Sequence, residues 1–270
     1  MSEWLLEVQG LRVRYRQAGQ DAPALDGVDL TVAPGETVAV VGESGSGKST
    51  LALAVTRLLP AHRVRVEAQR LRFEGRDVLS LPEPQLRALR GGKIAYVFQE
   101  PATSLNPVLT IGEQLREAIE LHAGVRGPAA GRLAGEWLSR VGLGDGAARL
   151  NAYPHEFAGG IQQRVMIAMA MACTPALLIA DEPTSALDVT VQVQILRLLR
   201  ELQARYQLAL LLISHDLLVV RRLARRVMVL ERGRVVEAGL VDQVLERPAH
   251  PYTQRLLEAR RSMSWRGEVG

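Results

Sequence analysis

The string Gly42-Glu43-Ser44-Gly45-Ser46-Gly47-Lys48-Ser49 constrains the fold of this chain more than any other feature. It satisfies G-x-x-x-x-G-K-[ST], and its flanks are what that pattern needs. A short apolar run at 36–41 reads as a strand, and residues 48–59 have helical spacing up to Pro60. The glycines let successive backbone N–H groups close around phosphate oxygens at the positive end of a helix. Lys48 adds a point charge, the Ser49 hydroxyl is suited to ligate magnesium, and Thr50 joins them in the nucleotide-binding set. Lysine occurs only here and at Lys93, with arginine at the other basic positions, so its place in this loop is informative. A flexible glycine turn would not require a strand before it and a helix after it.

The remaining text alternates strands with helices. Residues 5–15 and 25–32 alternate apolar and polar, as two half-exposed antiparallel strands joined by a Gly/Asp/Pro turn would. Helical stretches at 111–122 and 132–141, separated by Gly/Pro-rich breaks, predict a helical insert. Residues 162–173 are apolar nearly all round, which fits a buried helix, ended by Thr174-Pro175 before a strand at 177–180. An amphipathic helix at 191–206, a strand at 208–213, a helix at 217–224 and strands near 227–230 and 235–237 follow. Strands alternating with helices imply a mostly parallel sheet.

Leu177-Leu178-Ile179-Ala180-Asp181-Glu182 ends such a strand in two carboxylates, where a parallel sheet presents its ligand side. Asp181 would hold magnesium, directly or through water, and Glu182 would orient and deprotonate the water attacking in line. Acids at strand ends are also ordinary turn residues; the upstream phosphate loop is what favours the chemical reading.

Other classes are excluded by length and composition. The apolar runs at 176–180 and 208–213 fall far short of the roughly 20 residues that span a bilayer. A membrane role must therefore come through partners. The N-terminal Met-Ser-Glu-Trp-Leu-Leu-Glu lacks the basic and apolar pattern of a secretory signal, so a cytoplasmic location is expected. Cys173 is the sole cysteine, which excludes a disulfide or a cysteine metal cluster within one chain and reads as a buried bystander. The net charge of +4 comes from arginines scattered among acids rather than massed in a patch, so no nucleic-acid partner is expected.

Phe157-Ala158-Gly159-Gly160-Ile161-Gln162-Gln163-Arg164 resembles the signature segment of ABC-type ATPases, usually written L-S-G-G-Q. The resemblance covers nearly the whole chain. Phe98-Gln99-Glu100-Pro101 is similar to that family's Q-loop, Ser185-Ala186-Leu187-Asp188 to its D-loop, and Ser214-His215-Asp216 to its switch-histidine loop, all in the family's order. It implies an α/β fold, a P-loop NTPase core of ABC-ATPase type with an N-terminal antiparallel β subdomain and an inserted α-helical subdomain. The expected domain spans 1–270: about 1–99 and 171–245 form the core and β subdomain, about 100–170 the helical signature subdomain, and about 246–270 a short tail.

It also implies a head-to-tail dimer in which ATP on one subunit's phosphate loop is covered by the other's signature segment, Phe157, Ala158, Gly159, Gly160 and Ile161, with Asp188 beside the nucleotide. Gln99 would sense the γ-phosphate or its magnesium and relay that state to the membrane partner, and His215 would contact the γ-phosphate. Tyr15 matches the aromatic that stacks on adenine, although a strand tyrosine also serves plain packing.

One departure matters: the signature serine is Ala158 here. A hydrogen bond to a charged group contributes about 1.5–3 kcal/mol, so the affected site would lose roughly 10- to 100-fold. That suggests pairing with a different subunit and two unequal sites; alternatively, the backbone donors of Gly159 and Gly160 suffice and the alanine is neutral.

Thr103-Ser104-Leu105-Asn106-Pro107, the 164–170 stretch and His250-Pro251-Tyr252-Thr253 resemble the D-type ATPase subunit of peptide and nickel importers. Such a machine implies a second homologous ATPase subunit, two transmembrane permease subunits and an extracytoplasmic solute-binding protein. Many peptide importers carry a longer cysteine-bearing tail than the one ending at Gly270, and short tails also occur in metal-chelate importers, so peptide and nickel or metal chelate both stay open. A P-loop kinase would not need the Gly159-Gly160 segment or the Asp188 and His215 loops. A soluble ABC ATPase of DNA repair or translation would be expected to show two cassettes or long heptad arms, and a regulatory module that only binds ATP would not need both Glu182 and His215.

Overall fold

Two breaks in alternation shape the N-terminal strands. In β1 (Leu6–Gln17) the buried side chains are Leu6 and Val8, then Leu11 and Val13; in β2 (Gln20–Val32) they are Leu25, then Val28, Leu30 and Val32. The β1–β2 register slips between Val8 and Leu11, where the Gly10 N–H donates to the Asp29 carboxylate at 2.6 Å. A bulge of this kind keeps the apolar side chains on one face through the slip. The computed structural model describes residues 3–17, 20–185 and 187–266, in two compact units: 1–80 with 211–270, and 81–210. Met1, Ser2, Ala18 and Gly19 of the turn expected between the first two strands, Ala186 of the D-loop segment and residues 267–270 lie outside the described residues.

In the first unit β3 (Thr37–Val41) is buried along its whole length, as a strand covered on both faces must be. It leads through the glycine loop into α1 (Lys48–Val55). This helix stops four residues short of the 48–59 expected. The Thr56 hydroxyl turns back onto the carbonyls of Ala52 and Leu53, Arg57 takes a positive φ of 51°, and its guanidinium donates to the Val78 carbonyl at 3.2 Å. The chain therefore turns before Pro60 acts. Three short strands that sequence patterning left unassigned follow: β4 (Val64–Glu67), β5 (Arg70–Phe73) and β6 (Arg76–Asp77). β4 and β5 pair antiparallel with the two ends of β1, giving the expected antiparallel β region.

The second unit opens with α2 (Glu83–Leu89), β7 (Ile94–Val97) and the single turn α3 (Pro101–Ser104). Helices α4 (Ile111–His122), α5 (Pro128–Arg140), α6 (Gly146–Arg149) and α7 (Gly159–Met171) follow. α4 starts in a reciprocal capping box between Thr110 and Glu113. α7 buries Val165, Ile167, Ala168 and Met171, in line with its apolar text. β8 (Leu177–Asp181) is wholly buried and pairs in parallel with β7. α8 (Val189–Tyr206) follows it.

The chain re-enters the first unit along β9 (Ala209–Ile213), then forms α9 (Leu217–Leu223), β10 (Arg226–Glu231), β11 (Arg234–Leu240), α10 (Val241–Glu246) and α11 (Pro251–Arg266). β10 pairs in parallel with β3 and antiparallel with β11. The Ser214 N–H donates to the Val40 carbonyl at 3.2 Å, so the end of β9 lies beside the end of β3.

Candidate nucleotide site

The glycine loop departs from the buried end of β3 because nothing larger than glycine fits there. A Cβ on Gly42 would run into the backbone carbonyl of Leu230 in β10. Gly47, in a left-handed conformation, starts α1 without a side-chain cap, so the first-turn N–H groups keep no intrahelical partner. Lys48 is buried, and its Nζ donates to the carbonyls of Gly42 and Glu43, both at 2.9 Å. The Ser46 hydroxyl is buried with no hydrogen-bond partner. A buried ammonium, an unpartnered hydroxyl and a helix N-terminus together make a receptor for an oxyanion.

Two further expected residues lie on elements that adjoin this loop within the first unit. The Tyr15 hydroxyl lies 3.4 Å from the Thr50 Oγ1, so the strand tyrosine flanks the first turn of α1. His215 follows Ser214, whose link to Val40 sets it beside the end of β3. Asp216 caps α9 through the Leu218 N–H at 2.8 Å.

In the second unit Asp181 closes β8, and its two oxygens differ. Oδ2 accepts from the Tyr96 hydroxyl at 2.9 Å, while Oδ1 is buried and has no hydrogen-bond partner. Burial, then the charge and hydrogen bond of Asp181, push the Tyr96 phenol well above its ordinary range, so it remains a donor. Magnesium fits such a group, since a hard cation seeks an anionic oxygen that is otherwise unsatisfied. Glu182 adopts a left-handed φ of 50°, unusual for a residue with a side chain, and the turn is held by the Ser185 N–H and hydroxyl donating to its carbonyl at 3.2 and 3.1 Å. Strain at such a position is commonly kept where function needs it. Gln99 is exposed between β7 and α3, next to Phe98, whose ring packs on Tyr96 with centroids 4.3 Å apart.

The signature segment forms the start of α7. Ala158 is the N-cap; its carbonyl accepts from the N–H groups of Ile161 and Gln162, and no side chain caps the helix. Phe157 is buried with the Arg149 guanidinium 5.8 Å over its ring. A Cβ on Gly160 would strike Val191 of α8, so that glycine is required by close helix approach. Asp188, expected beside the nucleotide, has its Oδ1 engaged in capping α8 through the Val191 N–H at 2.9 Å. Sequence reasoning missed Tyr96 and the Tyr252 contact described below. Cys173 is half-buried near the Ala118 carbonyl, and burial pushes its thiol up to about 11.

A loop that cradles phosphate after a buried parallel strand, with a carboxylate closing another such strand, defines a P-loop nucleoside triphosphatase. Residues 25–185 match the ABC transporter family model. The chain belongs to the ABC transporter family. It is 50% identical over 255 residues, 94% of its length, to the peptidoglycan transport ATP-binding protein YejF of Agrobacterium fabrum, and spans 47% of that protein. It is 49% identical, again over 94% of its length, to a putative peptide import ATP-binding protein of Brucella abortus, spanning 76% of it. Its fold matches the ADP- and phosphate-bound dimer of the ATP-binding cassette MJ0796, with a TM-score of 0.76 and 28% identity, covering 87% of this chain and 98% of that one. Among the described residues no helix is long and apolar enough to cross a membrane.

Proposed function

We propose that this chain binds and hydrolyses MgATP to power an importer of peptide-class solutes, working at the cytoplasmic face of the membrane in a head-to-tail dimer with a second, homologous ATPase subunit. Two permease subunits and an extracytoplasmic solute-binding protein complete the proposed assembly. The observation that carries this reading is the near-full-length similarity to chains named for peptide and peptidoglycan transport. That naming favours peptides over the nickel or metal chelates the sequence leaves open.

In the proposed reaction the loop residues Gly42 and Ser44 to Thr50 hold the phosphates and Tyr15 flanks adenine. Lys48 exchanges its loop carbonyls for phosphate oxygens. Ser49, Asp181 and Gln99 would hold magnesium, which when bound offsets charge on the transferring phosphoryl group. Glu182 orients a water and takes its proton as the water oxygen bonds to the γ-phosphorus and the bond to the β–γ bridging oxygen breaks. His215 contacts the γ-phosphate. The start of α7, from Phe157 to Ile161, covers the ATP held by the partner subunit, with Asp188 at the same junction. Because Ala158 offers no hydroxyl, the partner's site is the weaker of two unequal sites.

The test is MgATP turnover of the purified chain alone and mixed with a homologous ATPase subunit from the same organism, with Glu182→Gln as the blank. Turnover that rises sharply on mixing supports the heterodimer; equal turnover alone removes it. Vesicles carrying the whole assembly should hydrolyse ATP faster when binding protein and a peptide are present together, and a response confined to a nickel chelate would overturn the peptide assignment.

A further inference from the structure

The His250-Pro251-Tyr252-Thr253 segment marks the importer subfamily in the sequence and has no part in the reaction described so far. It lies at the start of α11, yet its tyrosine reaches a residue 209 positions earlier: the Glu43 N–H donates to the Tyr252 hydroxyl at 3.0 Å. Glu43 directly follows Gly42 in the phosphate loop, and its carbonyl accepts from Lys48 at 2.9 Å. Both polar backbone groups of this loop residue are thus engaged, one by the loop's own lysine and one by the tail.

The tyrosine is a fixed acceptor. It is 4% exposed, and its N–H donates to the His250 Nδ1 at 3.2 Å. Arg255 lies 5.9 Å over its ring and 4.0 Å from Glu231. Glu237 of β11 accepts from the N–H groups of Ala249 and His250 at 2.9 and 3.1 Å, tying the entry to α11 against the sheet. Burial pushes the Tyr252 phenol above its ordinary value, so the hydroxyl stays neutral.

We propose that Tyr252 is a positioning residue for nucleotide binding, which pins the first peptide group of the phosphate loop and so holds the N–H groups that follow it in place for phosphate. A loop already held in its binding geometry loses less freedom when ligand arrives, and the hydroxyl supplies that hold from outside the loop. The inference rests on the proposed ATP-binding reading.

Tyr252→Phe keeps the ring and removes the acceptor. Equilibrium titration with fluorescent ATP and ADP analogues should show both bound roughly three- to tenfold more weakly, the effect of one neutral hydrogen bond. Both should weaken alike, because the loop cradles phosphates the two nucleotides share. Leu256→Ala, which trims a buried side chain of the same helix, should lower the thermal midpoint and leave nucleotide affinity unchanged. Unaltered affinity in Tyr252→Phe overturns the proposal, and so does an equal loss in Leu256→Ala, which would make the tail a packing element only. Failure of the wild-type chain to bind either analogue would instead remove the ATP-binding reading itself, a distinct outcome of the same titration.

Discussion

At the scale of single residues, Asp181 shows how a carboxylate is divided between holding and offering. One oxygen accepts from Tyr96 and the other is buried and unpartnered. Tyr96→Phe should leave the first oxygen unsatisfied, at a cost of about 1–3 kcal/mol. That cost should appear as a lowered midpoint in urea unfolding, while nucleotide binding measured without magnesium stays level; unchanged stability would show that the Tyr96 hydroxyl does not hold Asp181. Glu182→Gln should reduce turnover by about 10²- to 10⁴-fold, the usual contribution of a general base, and retain bound ATP in an assembled pair on size-exclusion chromatography. Asp181 and Glu182 are legible in the sequence because two acids end an apolar run. Tyr96 is not, because a tyrosine within a short strand carries the same text whether it packs or donates.

At the scale of elements, α7 and α8 meet where Gly160 faces Val191. Alanine favours a helix over glycine by about 1 kcal/mol, whereas overpacking costs about 1–3 kcal/mol. Gly160→Ala should therefore be net destabilising by up to about 2 kcal/mol in urea unfolding; a stabilised variant would mean that Val191 yields freely. The long periodic helices and the buried strands β3, β8 and β9 were legible, since burial on one face or on both marks the text, whereas β7 was not read from it. The short strands β4, β5 and β6 were not: arginines alternate through β4 and β5, whose pairing with β1 is fixed by partners far away in the sequence, and β6 is two residues long and pairs with β5. The end of α1 was misplaced for a related reason: a threonine hydroxyl and the remote Val78 carbonyl stop it before proline does.

At the scale of the whole molecule, the proposed pairing is what a substitution can test. The chain spans 47% of one relative and 76% of another, so relatives of similar sequence package this unit in longer chains. Ala158→Ser bears on the pairing. If the missing hydroxyl weakens the partner's site, restoring it should speed that site roughly 10- to 100-fold, which brings turnover of the mixed pair up to about twofold of its former value, and should leave the isolated chain's ADP affinity unchanged. No change in the mixed pair would show that backbone donors at the start of α7 suffice.

The slip in β1 near Gly10 reaches further than the strand that contains it. Side chains on a strand point alternately to opposite faces, so a single extra residue inverts the facing of everything beyond it. Tyr15 lies downstream of the slip, on the same side as Leu11 and Val13, and there its hydroxyl meets Thr50. Without the extra residue the aromatic ring would be turned to the reverse side of the strand. An irregularity five residues away thus acts as the aiming device for the ring proposed to flank adenine, and a one-residue deletion there would disarm Tyr15 without touching it.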